Sequence, residues 1–219
     1  MKTIRVTGRG QLKVHPDMTR ITITLAGIHK DYAKTLRQSS GDTEELKTLL
    51  TQFGFERTDL KTLSFSVDAQ HESYKVKDEW KRRFLGYKYS HVMKVEFESD
   101  NLRLGKILYA LANCPLNPEF RLSYTVKDPE AAKNELLGKA VRDAIAKAGV
   151  LTAAAGQKLG GMQSIDYSWG EINFEYSPMR EDCFCEKLMA PTSGGSLDMD
   201  IEPDDIEVRD TVTVVWEIV

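Results

Sequence analysis

Long apolar runs are missing from this 219-residue sequence. None approaches the ~18 residues that a membrane-spanning helix needs, so no span is expected. Cysteine is scarce: Cys114, Cys183 and Cys185 are too few for a disulfide scaffold. An excess of one charge is also missing. The net charge of −3 argues against a dedicated nucleic-acid binder, although local patches remain open. No low-complexity tract is present, and the nearest thing to a linker is 189–200, which holds Pro191, Ser193, Gly194, Gly195 and Ser196. The opening residues, MKTIRVTGRG, lack the apolar segment of a secretion signal, so a cytoplasmic protein is expected. No G-x-S-x-G, P-loop or H-E-x-x-H pattern occurs. Neither an enzyme nor a cofactor is expected.

What is present is organised around 128–160. Asp128 is a good N-cap, because its carboxylate can accept from the free N–H groups of the first turn. Pro129 suits the first helical position, and Glu130 complements the positive end of the dipole. Leu137, Val141, Ala144, Ala148, Leu151 and Ala155 then recur at alternating four and three, which predicts one apolar stripe on a helix over 129–157. Gly156 or Gly160 can supply the left-handed residue that ends it. The alanine-rich stripe fits packing on the protein's own sheet better than a helix interface between subunits.

Alternation predicts strands over 3–15, 18–30, 59–69, 84–98, 118–127, 162–176 and 206–218. In the first of these, Gly8-Arg9-Gly10 looks like a dinucleotide loop, but the third glycine and the following helix are missing, so a β-bulge or bend is expected. Helices are predicted over 31–53, with Ala33, Leu36, Leu46, Leu49, Leu50 and Phe53 on the apolar face, and over 101–113. The polar stretch 70–83 should form the long, mobile tip of a hairpin. The order β-α-β-β then occurs twice, over about 18–98 and 118–218, with insertions at 70–83 and 177–203. This predicts an α+β fold: one domain over 1–219, largely antiparallel, with the helices packed on one face.

Several short motifs, in order, resemble the SIMPL-domain family. They open with Ile4-Arg5-Val6-Thr7-Gly8-Arg9-Gly10, Val14-His15-Pro16-Asp17 and Ile21-Thr22-Ile23. They continue with Asp59-Leu60-Lys61-Thr62 and Phe65, Gly86-Tyr87, and Leu104-Gly105-Lys106-Ile107-Leu108. Ala140-Val141-Arg142-Asp143-Ala144, Lys147-Ala148, Ala154-Ala155-Gly156, Leu159-Gly160 and Ile206-Glu207-Val208 complete the set. The family includes bacterial periplasmic immunogenic proteins and proteins linked to oxidative-stress defence. The resemblance implies an α+β fold and large homo-oligomers, and no established activity, cofactor or catalytic residue. The expected function is therefore non-enzymatic: a self-assembling protein acting through multivalent surface binding, in stress response or envelope upkeep.

Three groups of residues remain as candidate sites. Lys75, Lys77, Trp80, Lys81, Arg82 and Arg83 interleave cations with aromatics, with Phe84, Tyr87, Lys88 and Tyr89 following. Such a stretch, 75–89, can hold a nucleic-acid strand or a protein partner, or be a solvated tip. The second group is acidic: Asp198, Asp200, Glu202, Asp204, Asp205, Glu207 and Asp210. Opposite charges on the two insertions could meet between neighbouring subunits. The third is Cys183-Phe184-Cys185, a redox or soft-metal candidate. Its spacing is not that of C-x-x-C, and the histidines His15, His29, His71 and His91 are scattered. The neighbouring acids Glu171, Glu175, Glu181, Asp182 and Glu186 oppose a reactive thiolate.

Overall fold

The computed structural model describes residues 2–76, 79–167, 172–177 and 201–219. Among these the elements run β1 (Lys2–Val14), β2 (Met18–His29), α1 (Tyr32–Thr51), β3 (Lys61–Val76), β4 (Glu79–Glu98) and α2 (Asn101–Asn113). They continue β5 (Glu119–Thr125), α3 (Pro129–Ala154), β6 (Leu159–Tyr167), β7 (Glu175–Tyr176) and β8 (Ile206–Ile218). The α+β class holds, with antiparallel pairing in both sheets. The chain divides into two compact units. One comprises Met1–Asp17, Thr125–Tyr176 and Pro203–Val219; the other is built on Met18–Tyr124.

In the first unit the strand order is β1-β8-β6, and α3 lies chiefly on β1 and β8. Asp128 caps the helix as its sequence predicts, accepting from Ala131 N at 2.9 Å, with Pro129 in the first turn. The buried row differs from the expected stripe: it is Leu136, Ala140, Ala144, Ala148 and Thr152, a strict i+4 ridge. Leu151 is exposed, and Leu137 and Val141 are only partly covered. The reason lies in the opposing strand. β1 pairs with β8 without a break from Lys2↔Ile218 to Val14↔Ile206, so no bulge occurs at Gly8-Arg9-Gly10. Instead the two glycines let the helix backbone rest on the strand. A Cβ on Gly8 would lie 2.0 Å from the Ala140 carbonyl oxygen, and one on Gly10 would lie 2.3 Å from that of Leu136. Alanines must face that strand, so the small residues, not the large ones, mark the contact. Asp143 fixes the register by accepting from Arg9 N at 2.6 Å. Val6, Val212, Val214 and Trp216 complete one core cluster; Leu12, Val126, Leu136, Phe174, Ile206 and Val208 form another. Gly156, at φ +67°, ends the helix turn as expected. The strand expected over 162–176 is shorter, β6 ending at Tyr167.

In the second unit the order is β3-β4-β2-β5, and α1 lies over β2 and β4. Ile21 and Ile23 on β2 pair with Val95 and Met93 on β4, and all four are buried, as are Leu46 and Leu50. The first half of α1 buries Thr35 and Ser39, while Leu36 is 38% exposed, contrary to its expected place on the apolar face. Thr35 is satisfied by the Asp31 carbonyl at 2.9 Å, which makes its burial tolerable. Leu104, Ile107, Leu108 and Leu111 form the buried face of α2, as expected.

Both units share one plan. Among the described residues, a helix covers two strands of a triplet, β4 and β2 or β8 and β1, and the third strand, β3 or β6, is left at the sheet edge with its helix-side face largely uncovered. On β3, Phe65 sits opposite His91 and is 47% exposed. On β6, Met162 and Ile165 sit opposite the buried Trp216 and Val214, yet they are 58% and 43% exposed. Residues directly opposite share a sheet face, so these apolar side chains lie on the helix side beyond the helix.

Candidate functional site

The stretch expected to be a mobile hairpin tip is paired β-ribbon. β3 and β4 remain in register from His71↔Phe84 to Val76↔Glu79. They continue this far because the polar residues between 70 and 83 still alternate strand formers with charges, and the ladder satisfies their backbone groups. The ribbon leaves the sheet at a register shift between Gln70 and His71. Gly86, at φ +152°, allows this turn away; a Cβ there would come within 2.7 Å of the His29 carbonyl oxygen.

Pairing sorts the ribbon's side chains onto two faces. His71, Ser73 and Lys75 stand opposite Phe84, Arg82 and Trp80, so these six share one face. Trp80 is 73% exposed. The His71 and Phe84 rings meet edge to face at 5.5 Å, and Phe84 meets Tyr87 at 5.2 Å. The opposite face carries Glu72, Tyr74, Glu79, Lys81 and Arg83. There Arg83 Nη2 donates to Glu72 at 2.6 Å, and its guanidinium lies 5.9 Å above the Tyr74 ring. Lys75, Trp80 and Arg82 are thus brought together, while Lys81 and Arg83 stand behind them. Lys77 lies outside the described residues.

Of the acidic group, Glu202, Asp204 and Asp205 are exposed in the segment leading into β8. Asp205 meets His15 Nδ1 at 3.3 Å. Glu207 is held below the usual carboxylate range, first by its hydrogen bond from Arg209 and then by that residue's charge. Asp198 and Asp200 lie outside the described residues, as do Cys183 and Cys185. Cys114 is buried and donates its Sγ–H to the Leu111 carbonyl at 3.2 Å. Among the described residues, no group of three or more His, Cys, Asp and Glu is placed to hold a metal ion.

One feature escaped the sequence reading. Between α1 and the β3–β4 pair lies a cleft of about 290 Å³ lined by Leu36, Ser39, Ser40, Thr43, Glu44, Lys47, Phe65 and His91. His91 is clamped there: Nδ1 is 3.1 Å from Thr43 Oγ1 and Nε2 is 2.9 Å from Thr62 Oγ1. The Phe65 ring stands edge-on at 5.2 Å. Burial, and then the charge of Lys47, lower its pKa, so the imidazole is neutral near pH 7. Its signal was in the sequence: His91 interrupts the inward row Tyr89, Met93, Val95 and Phe97, where an unpartnered histidine would be costly. Both ring nitrogens are occupied by hydroxyls, so the imidazole ties β4 to α1 through Thr43 and to β3 through Thr62.

Over 167 residues the chain is 29% identical to the "26 kDa periplasmic immunogenic protein" of Brucella melitensis biotype 1, covering 74% of this chain and 65% of that protein. The protein of the same name from Brucella abortus (strain S19) matches with the same identity and coverage. The chain thus spans about 65% of the length of these relatives. Their names overturn the expectation of a cytoplasmic protein, which rested on the composition of the first ten residues; they point to the periplasm instead. The SIMPL family, described as a protein of unknown function (DUF541), matches residues 4–216, from within β1 to within β8, and this chain belongs to it.

Proposed function

We propose that this chain is a non-enzymatic, self-assembling periplasmic protein that acts through a repeated binding surface in stress response or envelope upkeep. The observation that carries this reading is the pair of bare edge strands. Phe65 on β3, and Met162 and Ile165 on β6, expose apolar side chains beside open backbone edges. Such edges are normally shortened, charged or covered, since they recruit further strands. A second copy of the chain would cover them by adding its own strand and apolar face. Closed assembly then displays many copies of the β3–β4 ribbon, and weak single contacts add into avidity. The neutral, doubly clamped His91 favours a structural role over catalysis.

Light scattering on the full chain tests this. The expected mass is a multiple of 24.8 kDa, and Phe65→Glu or Ile165→Glu shifts it downward. A wild-type mass of one subunit at micromolar concentration rejects the reading. Nothing in the proposal requires a metal or cofactor.

A further inference from the structure

The cleft between α1 and the β3–β4 pair holds more hydrogen-bond donors than the protein uses. Leu36, Ser39, Ser40, Thr43 and Lys47 lie along one stripe of α1. Phe65 and His91, opposite each other on β3 and β4, form the other wall. His91 has nothing left to offer. The single Thr43 hydroxyl hydrogen goes to the Ser39 carbonyl at 2.7 Å, so Thr43 Oγ1 accepts from His91 Nδ1–H. Nε2 of that neutral ring then accepts from the Thr62 hydroxyl.

Ser39 and Lys47 differ from it. Ser39 is 4% exposed, yet its hydroxyl makes no hydrogen bond to any described residue. Among the described residues no fully enclosed side-chain polar atom lacks a partner, so this hydroxyl still reaches open space, and the cleft is the space it lines. Lys47 donates to Glu44 at 3.2 Å, which occupies one of its three N–H groups. Glu44 is shared with Arg57, so one carboxylate answers two cations. The surplus charge is felt inside the cleft, where Lys47 is second only to burial in lowering the His91 pKa.

We infer that this cleft binds a small organic monocarboxylate, its carboxylate set between the Lys47 ammonium and the Ser39 hydroxyl and its apolar body against Phe65 and Leu36. Lys47 leans toward the start of α1 to reach Glu44, three residues before it, and this carries the ammonium toward Ser39. A donor that is already desolvated and unpaired gains most from an anionic acceptor, because charge-assisted hydrogen bonds are the strong ones. Phe65 and Leu36 are exposed apolar surface that such a ligand would cover. The size agrees: a cavity of ~150 Å³ takes benzene, and about 290 Å³ has room for a ring or short chain with its carboxylate. All these residues belong to the unit built on Met18–Tyr124 of a single copy, so the inference does not rest on the proposed assembly.

The test is saturation-transfer NMR of phenylacetate with the full chain, beside phenylethanol, which lacks the charge, and acetate, which lacks the apolar body. Phenylacetate should bind, and each comparison compound at least about tenfold more weakly. Lys47→Gln removes the charged donor and weakens phenylacetate binding by about tenfold or more. Ser39→Ala weakens it by at least about fivefold and leaves the urea midpoint unchanged, because that hydroxyl has no hydrogen bond to lose among the described residues. Lys139→Gln, on α3, changes binding by less than about twofold. Equal binding of phenylacetate and phenylethanol, no saturation transfer, or indifference to both Lys47→Gln and Ser39→Ala overturns the inference. Light scattering on the same samples reads the assembly separately. A lone subunit that binds phenylacetate upholds the cleft and rejects the assembly. An oligomer that ignores phenylacetate rejects the cleft alone.

Discussion

Replacing Gly8 by alanine should damage this protein more than any comparable surface change. The added methyl carbon would sit 2.0 Å from the Ala140 carbonyl oxygen, 2.4 Å from Ala144 N and 2.7 Å from Ala144 Cβ. Ordinary contact begins near 3.4 Å, so α3 must withdraw by about 1.4 Å or β1 must bend away. Two of the three obstacles are helix backbone, which has no rotamer with which to escape. Withdrawal also opens the interface that buries Ala140, Ala144 and Ala148, and it stretches the 2.6 Å hydrogen bond from Arg9 N to Asp143. Overpacking of this kind costs about 1–3 kcal/mol, and a backbone obstacle belongs at the top of that range. Urea unfolding followed by circular dichroism should show a midpoint lower by about 1 M. Gly149→Ala, in the same helix, is the matched comparison. Nothing lies within 4 Å of its would-be Cβ, so that change should stabilise by about 1 kcal/mol through helix propensity alone. A Gly8→Ala loss below about 1 kcal/mol would refute the close-packing account of β1 and α3.

Other outcomes follow from the second unit. His91 has a folded pKa below its ordinary 6.5, so its contribution to stability is whole above that value and is lost as pH falls through the lowered one. Urea titrations at pH 7.5 and 5 should therefore show a smaller acid loss in His91→Gln than in wild type, and equal losses would disprove the linkage. Asp100 accepts from Leu102 N and Arg103 N at the start of α2, so Asp100→Ala should cost about 1 kcal/mol in the same assay. Arg103 stacks 4.3 Å above Phe55 and sends two N–H groups to the Phe53 carbonyl. Lysine cannot reproduce that fork, and Arg103→Lys should lose about 1–2 kcal/mol; full retention would show that charge alone matters there.

Much of the fold is written in local pattern. The Asp128 cap, the α2 face and the alternation of β2, β4 and β8 depend on neighbours close in sequence, and each is where its residues predict. What local pattern cannot carry is what stands across the gap. Gly8-Arg9-Gly10 reads as a break because glycine weakens a strand, yet here it marks the approach of another backbone. The α3 stripe was misplaced by the same cause: hydrophobicity favours Leu137 and Leu151, whereas the contact selects alanine. The 70–83 stretch looks like loop because its polarity means exposure, and a two-stranded ribbon is exposed on both faces while fully paired. In the candidate site, residue types were legible but sidedness was not. Only the register separates Lys75, Trp80 and Arg82 from Lys81 and Arg83.

The pairing of β1 with β8 also governs how the chain must be made. Thr7 and Thr213 exchange a hydroxyl contact at 2.9 Å across 206 positions of sequence. β1 is made well before its partner, while β2 to β4 can already pair among themselves. The waiting strand is a bare, half-apolar edge. A holder that shields it until β8 is available would therefore raise the yield of native protein.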